Sequence, residues 1–487
     1  MGLILLVSCL VGLVVLYLYH VNRGMSEVPE EARLLSPHRW TVDQVKAAYK
    51  KSTEAPVDVT RHLPPKQQRR YIVVGGSGLV GNWIVSHLLS RGETPAAVRV
   101  LDIESPRPGV QEQGVTYMKT DVADEAAVSN AFSQKWPQAV ADLPLTVFHL
   151  AAVIRPAERL KEFRHLSSNV NVDGTKNVLN AAKKTGASCL ITTSSGSVGI
   201  HRPTFWIFPW TRRPTRLLQV LDDMAKIPKE HNEFFGNYAA SKMEAEIIVR
   251  NADDPQSNFR TGCIRPTNGI YGIGRDTSPT VIALYLSKGG SVSWTYPVIH
   301  SFVNVENVSI AHLLYEQRLI ELRTSSNLPD IGGQSFIVTD PNPAISFSDI
   351  YLLLSTLSKT PVKFPKVPPV LFLILSHLVE WYIILQHRYF AWLLPKVTGD
   401  LAQLQPGLFD ITNVHSIADD RRAQKSPEQG GLGYHAPIST LDGMCIQLKE
   451  WNHRVGKEVP AAMMKEDAAT VFAEEIEAST VVPPMNL

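Results

Sequence analysis

The apolar positions of the chain begin with one long run and continue as short runs that alternate with amphipathic stretches. Residues 2–19 carry no charge, and at about 1.5 Å per residue a helix of this length spans about 27 Å, close to the thickness of a bilayer core. From residue 71 onward, short β-branched runs alternate with helical patterns, which predicts a parallel sheet covered by helices on both faces. We therefore expect an α/β fold that follows an N-terminal membrane anchor helix.

The charges around the first apolar run predict its orientation. No Lys or Arg precedes this run, whereas Arg23, Arg33 and Arg39 follow it, and the positive-inside rule then places the rest of the chain in the cytosol. A secretory signal has an early positive charge and a small-residue cleavage site, and neither is clear here. We expect a single-pass anchor in the membrane of the endoplasmic reticulum with a cytosolic catalytic body. A cleaved signal peptide is the alternative.

The glycine-rich turn after the first predicted strand is the strongest local motif. The strand pattern ends at Gly75, and Gly78 and Gly81 complete the spacing G-x-x-G-x-x-G. Glycine reaches the positive φ of a tight turn without strain, and the helix that follows, beginning with Leu79 and Val80, would aim its N-terminus at a pyrophosphate. The motif predicts a Rossmann-type doubly wound parallel sheet whose first turn binds a dinucleotide.

A carboxylate at the end of the second predicted strand indicates which dinucleotide binds. Asp102 follows Gly81 by 21 residues, a position from which an acidic side chain accepts hydrogen bonds from the ribose diol. Because this carboxylate would repel a 2′-phosphate, we expect NAD. NADP stays an alternative because Arg107 is close along the chain.

Two later strand ends supply further candidate cofactor contacts. The third predicted strand ends at Asp121 and Val122, where a side chain would meet the adenine amine. A second interpretation makes Asp121 the N-cap of a helix at 124–135, and the two roles are compatible. The fourth predicted strand, 146–153, ends in small residues, among them Ala151, which let a cofactor approach the backbone.

The fifth predicted strand and a later helix supply the candidate catalytic groups. The strand ends in hydroxyl side chains that include Ser195, and Tyr238 and Lys242 stand four residues apart on one helical face. An ammonium group near the phenol, together with a positive nicotinamide ring, favours the phenolate and lowers its pKa below the ordinary value of about 10. The phenolate then takes the proton of a substrate hydroxyl as hydride leaves for the cofactor, while the serine hydroxyl holds the same oxygen.

Together these motifs resemble the extended short-chain dehydrogenase/reductase family, and within it the 3β-hydroxysteroid dehydrogenase branch, which includes the sterol-4α-carboxylate 3-dehydrogenases. The resemblance covers residues 70–448. It implies that Asn171, in the segment N-V-D-G-T, occupies the family's conserved helix position, although an asparagine inside a helix normally faces solvent or the local backbone. It also implies that Pro266, in I-R-P, lines the nicotinamide side, that Ser195 is the catalytic serine, and that the Tyr/Lys pair is catalytic.

Two features depart from the family pattern. The gap between Ser195 and Tyr238 is long and contains aromatic and basic residues at 201–210 and beyond. Two interpretations stay open: a membrane-facing or substrate-gating loop, or an ordinary packed insertion. Asn304 replaces the histidine of the family's F-V-H-V segment, a position that we expect to be structural.

The second half of the chain is apolar and aromatic. An apolar run at 367–379 stops at Glu380 and is too short to span a bilayer cleanly. Trp, Tyr and basic residues follow up to residue 394, a mixture that suits a bilayer interface. We expect a monotopic membrane segment beside a pocket for a lipophilic substrate, with buried core helices as the alternative.

Composition narrows the function classes. With 487 residues and a net charge of +2, the chain lacks the basic excess of a nucleic-acid-binding protein, so no nucleic-acid partner is expected. Four scattered cysteines, with no pair at metal-ligand spacing, indicate neither a metal site nor a disulfide framework and favour a reducing compartment. Homodimer formation is left open.

These patterns also predict how the chain is divided. The predicted parts are a transmembrane anchor (1–20), a linker (21–69) with one short helix near 41–51, an NAD-binding Rossmann domain with the catalytic residues (70–300), a substrate-binding and membrane-associated region (301–455) and an acidic tail (456–487).

The predicted function is NAD-dependent oxidation of the 3β-hydroxyl group of a sterol, steroid or triterpenoid. If the substrate carries a carboxylate on the neighbouring carbon, the product is a β-keto acid that loses CO₂ readily, which amounts to oxidative C4 demethylation. A nucleotide-sugar epimerase or reductase of the same superfamily is one alternative, and the apolar second half of the chain speaks against it. A non-catalytic dinucleotide-sensing protein is another, and joint retention of Ser195, Tyr238 and Lys242 speaks against that.

Overall fold

The computed structural model describes residues 1–107, 109–274, 280–323 and 327–458. Their strands form one seven-stranded sheet and two smaller sheets. The predicted acidic tail, residues 456–487, lies outside the described residues except for the end of the last helix.

The strands are short and most of them are buried. They are β1 (Arg70–Val74), β2 (Val98–Asp102), β3 (Thr116–Lys119), β4 (Leu145–His149), β5 (Ala187–Thr193), β6 (Leu218–Leu221), β7 (Arg260–Pro266), β8 (Ile270–Tyr271), β9 (Ile299–His300), β10 (Val303–Asn304), β11 (Gln334–Val338), β12 (Ile345–Ser346) and β13 (His415–Ala418).

The helices range from single turns to the long N-terminal helix. They are α1 (Gly2–Ser26), α2 (Glu30–Leu35), α3 (Val42–Glu54), α4 (Leu79–Ser90), α5 (Glu125–Ser133), α6 (His165–Ser168), α7 (Gly174–Lys184), α8 (Asn237–Arg250), α9 (Val281–Ser287), α10 (Val305–Glu321), α11 (Phe347–Leu357), α12 (Pro369–Arg388), α13 (Gly399–Gln403), α14 (Pro406–Thr412), α15 (Arg421–Gln424) and α16 (Thr440–Glu458).

The large sheet is parallel throughout and runs in the order β3-β2-β1-β4-β5-β7-β11. Helices α4 and α10 cover one face, and α5, α7 and α8 cover the other. This is the strand order of the doubly wound dinucleotide-binding fold, whose ligands bind at the carboxyl ends of the strands where the order reverses. The prediction of an α/β Rossmann-type sheet is confirmed.

The register of the central strands brings the predicted site residues to one edge of the sheet. Val74 pairs with Leu101 on β2 and with His149 on β4. Strand β4 ends at His149 and not at residue 153 as predicted, because the next two backbone amides, at 150 and 151, both donate to the carbonyl of Val74, at 2.8 and 3.1 Å. The chain therefore leaves the sheet directly beside the glycine turn.

The segment between the anchor and β1 is partly folded onto the body. Helix α3 begins with a capping box formed by Thr41 and Gln44, and it buries Val45 and Ala48 in a cluster shared with α11 and α16. The predicted short helix is thus present and longer than expected. The limits of the domains remain a prediction.

Helix α12 continues through the position at which the apolar run of the sequence stops. Glu380 is buried, and its two carboxylate oxygens accept hydrogen bonds from Nε and Nη2 of Arg159, each at 2.7 Å. This pairing satisfies the charge inside an apolar helix. Among the described residues, the segments Gly2–Leu35 and Pro369–Arg388 are long and apolar enough to cross a membrane by length and composition.

Candidate active site

The glycine turn between β1 and α4 leaves no room for a side chain at two of the three glycines of the G-x-x-G-x-x-G spacing. Gly75 has a φ of +80°, and a Cβ there would lie 2.5 Å from the backbone nitrogen of Ala151. A Cβ on Gly81 would lie 2.1 Å from the carbonyl oxygen of Gly75. A Cβ on Gly78 would meet only that same oxygen, at 3.3 Å, among the atoms that the structure describes. The outer side of the turn is therefore open to a ligand.

The groups around this turn suit the pyrophosphate and ribose of a dinucleotide. Helix α4 begins with Leu79 and Val80, and no side chain caps its first turn, so its N-terminal amides can bind an anion. In the described structure the Ser77 hydroxyl is buried without a hydrogen-bond partner. The carboxylate of Asp102 accepts hydrogen bonds from the amides of Ser77 and Glu104, at 2.9 and 3.1 Å. These bonds hold it beside the turn.

Asp121 and Val122 follow β3 in different surroundings. The Asp121 side chain is exposed and accepts a hydrogen bond from the amide of Ala123 at 2.9 Å. Helix α5 is capped instead by Asp124, whose carboxylate accepts from the third amide of the helix at 3.0 Å, so the N-cap interpretation of Asp121 is wrong. Val122 is buried against Gly174, where a Cβ would lie 2.7 Å from the valine side chain.

Asn171 lies in a single π-helical turn, Asn169–Asp173, between α6 and α7. Its buried side chain accepts from the amide of Val153 at 2.9 Å and donates to the carbonyl of Val153 at 3.1 Å and to the hydroxyl of Ser241 at 3.0 Å. Single π-turns within helices occur frequently at functional sites. Asn171 therefore ties the loop after β4 to the helix that carries Tyr238.

Ser195, Tyr238 and Lys242 are brought together beyond the carboxyl end of β5. The Ser195 hydroxyl is hydrogen-bonded to the Ser197 hydroxyl at 2.8 Å, and it lies close enough to the Tyr238 phenol to lower the pKa of Tyr238. Lys242 lies one turn further along α8, is buried, and donates from Nζ to the carbonyl of Thr193 at 2.7 Å. The helix and the strand end thus present the three predicted catalytic side chains to one another.

Pro266 and Ala151 lie at the same edge of the sheet. A Cβ on Gly196 would lie 2.9 Å from the carbonyl oxygen of Pro266, so the residue after Ser195 is in direct contact with the end of β7. Ala151 adjoins Gly75, as described above. The predicted cofactor contacts therefore flank the catalytic side chains on both sides.

Burial controls the protonation of Tyr238 and Lys242, the predicted catalytic pair. Removal from water raises the pKa of Tyr238, and the neighbouring Ser195 hydroxyl acts in the opposite direction. Burial lowers the pKa of Lys242 to about 8, against the pull of the negative charge of Glu246. The lowered Tyr238 pKa that the sequence predicts is thus not found in the chain without a cofactor, because desolvation of the phenolate outweighs the favourable contact.

A buried hydrogen-bond network centred on Glu246 lies behind the predicted catalytic residues. The sequence analysis did not predict this network. Its carboxylate accepts hydrogen bonds from the Ser194 hydroxyl at 2.6 Å and from Nε and Nη2 of Arg265 at 2.8 and 2.5 Å. The side chains of Glu246 and Arg265 are 0% and 2% exposed. Glu246 follows Lys242 by the same four residues that separate Lys242 from Tyr238, and this extended spacing is the signal that would have found it.

A second buried group holds the end of β5 from the opposite face of the sheet. His312 donates from Nδ1 to the carbonyl of Val308 at 2.8 Å, so its Nε2 accepts from the Thr193 hydroxyl at 2.7 Å. Burial lowers the pKa of His312 to about 4, which keeps the ring neutral. The strand end that precedes Ser195 is therefore fixed by side chains on both of its faces.

Asn304 has a structural role, as expected for this departure from the family pattern. Its side chain caps α10 by accepting from the amide of Glu306 at 2.9 Å. Its own amide donates to the buried carboxylate of Asp340 at 2.7 Å.

A cavity of about 400 Å³ lies between the insertion that follows Ser195 and helices α12 and α14. Its walls combine charged and apolar side chains, among them Arg159, Arg202, Phe205 and Leu373. None of the three predicted catalytic residues lines it. The cavity therefore does not mark the position of the reacting atoms.

A family model described as the 3-beta hydroxysteroid dehydrogenase/isomerase family matches residues 72–363. The matched segment covers more than half of the chain and includes every predicted catalytic and cofactor-binding residue.

Curated relatives with similar sequences are named as sterol and steroid dehydrogenases. The chain is 27% identical over 403 residues to "3beta-hydroxysteroid-dehydrogenase/decarboxylase isoform 2" of Arabidopsis thaliana, covering 79% of this chain and 62% of that protein. It is 30% identical over 280 residues to the human "Sterol-4-alpha-carboxylate 3-dehydrogenase, decarboxylating", covering 57% of this chain and 64% of that protein. The mouse protein of that name is 28% identical, with 80% of this chain and 92% of that protein covered. The chain thus spans less than two thirds of the length of the first two relatives.

Solved structures with a similar fold are more distant in sequence. A crystal structure of gox2253 aligns with a TM-score of 0.53 and 19% identity over 81% of this chain and 99% of that one. The UDP-glucose 4-epimerase of Thermotoga maritima, solved with UDP-glucose, aligns with a TM-score of 0.51 and 17% identity over 80% of this chain and 100% of that one. At these identities the similarity establishes the fold alone.

Proposed function

The chain belongs to the 3-beta hydroxysteroid dehydrogenase/isomerase family, and from this membership and the site geometry we propose that it oxidises the 3β-hydroxyl group of a sterol, steroid or triterpenoid with NAD. One observation carries the proposal. The Ser195 hydroxyl lies beside the Tyr238 phenol, whose pKa it lowers, and the buried ammonium group of Lys242 is held one helical turn away on the carbonyl of Thr193, at the sheet edge that also holds the glycine turn. A base, a hydroxyl and a cation next to a dinucleotide site are what the proposed hydride transfer needs.

The proposed catalytic roles follow from the chemistry of the three side chains. Tyr238 takes the proton of the 3-hydroxyl group as general base, and Ser195 hydrogen-bonds to the same oxygen. Lys242 stabilises the phenolate and binds the nicotinamide ribose. When bound, oxidised NAD supplies the hydride acceptor and a positive charge beside the phenol. That charge opposes the burial that raises the pKa of Tyr238.

The glycine turn, Asp102 and the strand ends are the proposed cofactor site. The amides of Gly78, Leu79 and Val80 would bind the pyrophosphate, and Asp102 would accept hydrogen bonds from the adenosine ribose. The proposed preference for NAD rests on this carboxylate, which repels a 2′-phosphate.

The sharpest version of the proposal has a 4α-carboxylate on the substrate. Oxidation at carbon 3 then gives a β-keto acid. The electrons of the bond between carbon 4 and the carboxyl carbon pass to the ketone as an enolate, CO₂ leaves, and a proton returns to carbon 4. The names of the Arabidopsis, human and mouse relatives, each a dehydrogenase with decarboxylation, support this version.

The alternatives have less support. The likeness to UDP-glucose 4-epimerases concerns the fold alone. A protein that senses dinucleotides without turnover has no need of a Ser, a Tyr and a Lys side chain gathered at the end of β5.

The proposal is tested by following NADH formation with a panel of 3β-hydroxysterols, with and without a 4α-carboxyl group, and with UDP-glucose as the comparison substrate. We expect turnover of the sterols, and release of CO₂ only from the 4α-carboxylates. Turnover of the sugar nucleotide with none of any sterol would overturn the proposal. In a Tyr238→Phe variant we expect kcat/KM to fall by at least about 100-fold, with NAD binding retained by calorimetry. Full activity of this variant would refute the assigned base.

We also propose that α1 spans a membrane and leaves the catalytic body in the cytosol. Residues 2–16 are exposed along the whole helix surface, and the Gly2–Leu35 segment is long and apolar enough for a span. Resistance of the full chain to alkaline extraction from membranes is the expected result, and release into the supernatant would contradict it.

A further inference from the structure

The insertion between Ser195 and Tyr238 packs on the C-terminal end of α1. From this insertion, residues 201–216, which we call the collar loop, the side chains of Phe205 and Ile207 are buried in one cluster with Val21 and Met25 of α1. At Gly24 a Cβ would lie 2.9 Å from the Ile207 side chain and 3.1 Å from a carbonyl oxygen of the collar loop. The glycine therefore permits direct contact between the helix and the collar loop.

Polar and charged contacts fix the collar loop to α1 and to the residues that follow this helix. Nε2 of His20 lies 3.3 and 3.0 Å from two collar-loop carbonyl oxygens, those of residues 208 and 211. Further from the apolar run, Arg212 pairs with Glu27 at 2.5 Å and Arg213 approaches Glu31 at 3.6 Å. The ion pairs thus lie beyond the C-terminal end of α1, further from the uncharged segment than the apolar contacts of Val21 and Met25.

The aromatic residues of the collar loop lie at the level where the apolar run ends. Trp206 stacks on Tyr17, with ring centroids 6.4 Å apart and planes at 14°. Ten residues separate Tyr17 from Glu27, which is about 15 Å along a helix axis, more than the thickness of one headgroup layer. With α1 in a bilayer and the ion pairs in water, Trp206 therefore lies closer to the bilayer than the ion pairs by about this distance.

Two further rings of the collar loop point away from the body. Phe208 and Trp210 stack with centroids 5.0 Å apart and planes at 6°, yet they are 66% and 81% exposed. Trp and Tyr are the residues enriched at membrane–water interfaces. Exposed pairs of large rings beside an apolar helix are typical of a surface that contacts lipid.

Helix α12 extends the same apolar surface. Its residues Leu371, Leu375, Leu378 and Trp381 recur at helical spacing and are all exposed. Nε1 of Trp206 donates to Nε2 of His377 on this helix at 3.3 Å, so the collar loop and α12 are in direct contact.

We propose that the collar loop is a membrane-interface contact, in which Trp206, Phe208 and Trp210 insert among the lipid headgroups around the cytosolic end of α1. The occupant of this surface is the lipid bilayer, and the inference rests on the proposed span of α1. Lipid contact is thus the role proposed for the collar loop, the insertion between Ser195 and Tyr238.

The test uses the full chain reconstituted in phosphatidylcholine vesicles that contain brominated lipid, with quenching of tryptophan fluorescence as the readout. We expect a Trp210→Phe variant to lose part of the quenched emission of the wild-type chain. A matched control is Trp136→Phe, because Trp136 packs against Arg70 and Arg99 on the body. Its removal should lower only the emission that lipid does not quench.

Two outcomes would overturn the inference. The first is an unchanged quenched emission in Trp210→Phe while the full chain resists alkaline extraction, which would leave the span of α1 intact and refute the collar loop alone. The collar-loop contact is likewise refuted if the emission of Trp210 depends on the protein-to-lipid ratio, because the rings would then contact a second copy of the chain. The second is release of the chain by alkaline extraction, which would refute both the span and the lipid contact.

Discussion

Replacing Glu246 by glutamine tests whether the network behind the catalytic residues positions them. The substitution keeps the shape of the side chain but removes the charge that accepts two hydrogen bonds from Arg265 and one from Ser194. Ser194 adjoins Ser195, whose hydroxyl lies beside the Tyr238 phenol. A loosened Ser194 therefore displaces the hydroxyl that is proposed to hold the substrate oxygen.

The hydrogen bonds of Glu246 set the expected size of the effect on kcat and on folding stability. A hydrogen bond to a charged acceptor contributes about 1.5–3 kcal/mol, and the loss of that amount from the transition state lowers kcat about 10- to 150-fold. Breaking the buried pair with Arg265 costs about 3–5 kcal/mol of folding free energy. Because the free energy of unfolding of a single domain is about 5–15 kcal/mol, we expect the variant to fold but to melt at a lower temperature.

Steady-state kinetics across a range of pH separate positioning from stability. We expect kcat to fall while KM for NAD changes by less than about twofold, the signature of an interaction made in the transition state. The charge of Glu246 also raises the pKa of Lys242, which burial holds at about 8. In Glu246→Gln the Lys242 pKa should fall further, so the alkaline limit of activity should move to lower pH.

Glu244→Gln is the matched control on the same helix. Glu244 pairs with Arg164 at the surface, with side chains 40% and 45% exposed, and such pairs contribute less than about 1 kcal/mol. We expect this variant to behave as the wild type. If Glu246→Gln lowers the melting temperature but keeps both kcat and the alkaline limit, the network is structural only and the positioning role is refuted.

Two further predictions follow from the cofactor site and from a buried histidine. Asp102→Asn should reduce the preference for NAD over NADP by about tenfold or more, equivalent to about 1.4 kcal/mol, and an unchanged ratio of the two kcat/KM values would contradict the ribose assignment. His312 is neutral in the folded state, with a pKa of about 4, so the unfolded state binds the extra proton and stability falls as pH drops from about 6.5 to about 4, by up to about 3 kcal/mol. His312→Gln should flatten this part of the curve of melting temperature against pH. An equal slope in the variant and the wild type would argue against the assignment of this pH dependence to His312.

The parts of the site that the sequence predicts are those encoded by short-range patterns. Strands β1 and β2 and the glycine turn were predicted because a buried parallel strand, a turn glycine and a terminal carboxylate each leave a local signal. The pair Tyr238 and Lys242 was predicted because four-residue spacing puts two side chains on one helical face. These signals need no knowledge of the rest of the fold.

The parts that escape prediction depend on partners far along the chain. Helix α12 continues through Glu380 because Arg159, 221 residues away, satisfies its charge. Asn171 lies in a π-turn because its amide binds the backbone of Val153 and a hydroxyl on α8. The raised pKa of Tyr238 comes from burial, which spacing along a helix does not report.

The docked end of α1 has a mechanical consequence for the catalytic body. Val21 and Met25 are buried against the body, Gly24 touches the collar loop, and Asn22 accepts a hydrogen bond from the first turn of α12 at 3.2 Å. These contacts couple the orientation of the helix to that of the body. A helix adjusts its tilt to the thickness of the bilayer around it. If α1 spans a bilayer as proposed, a change in bilayer thickness that alters the tilt of α1 also changes the orientation of the body relative to the membrane surface.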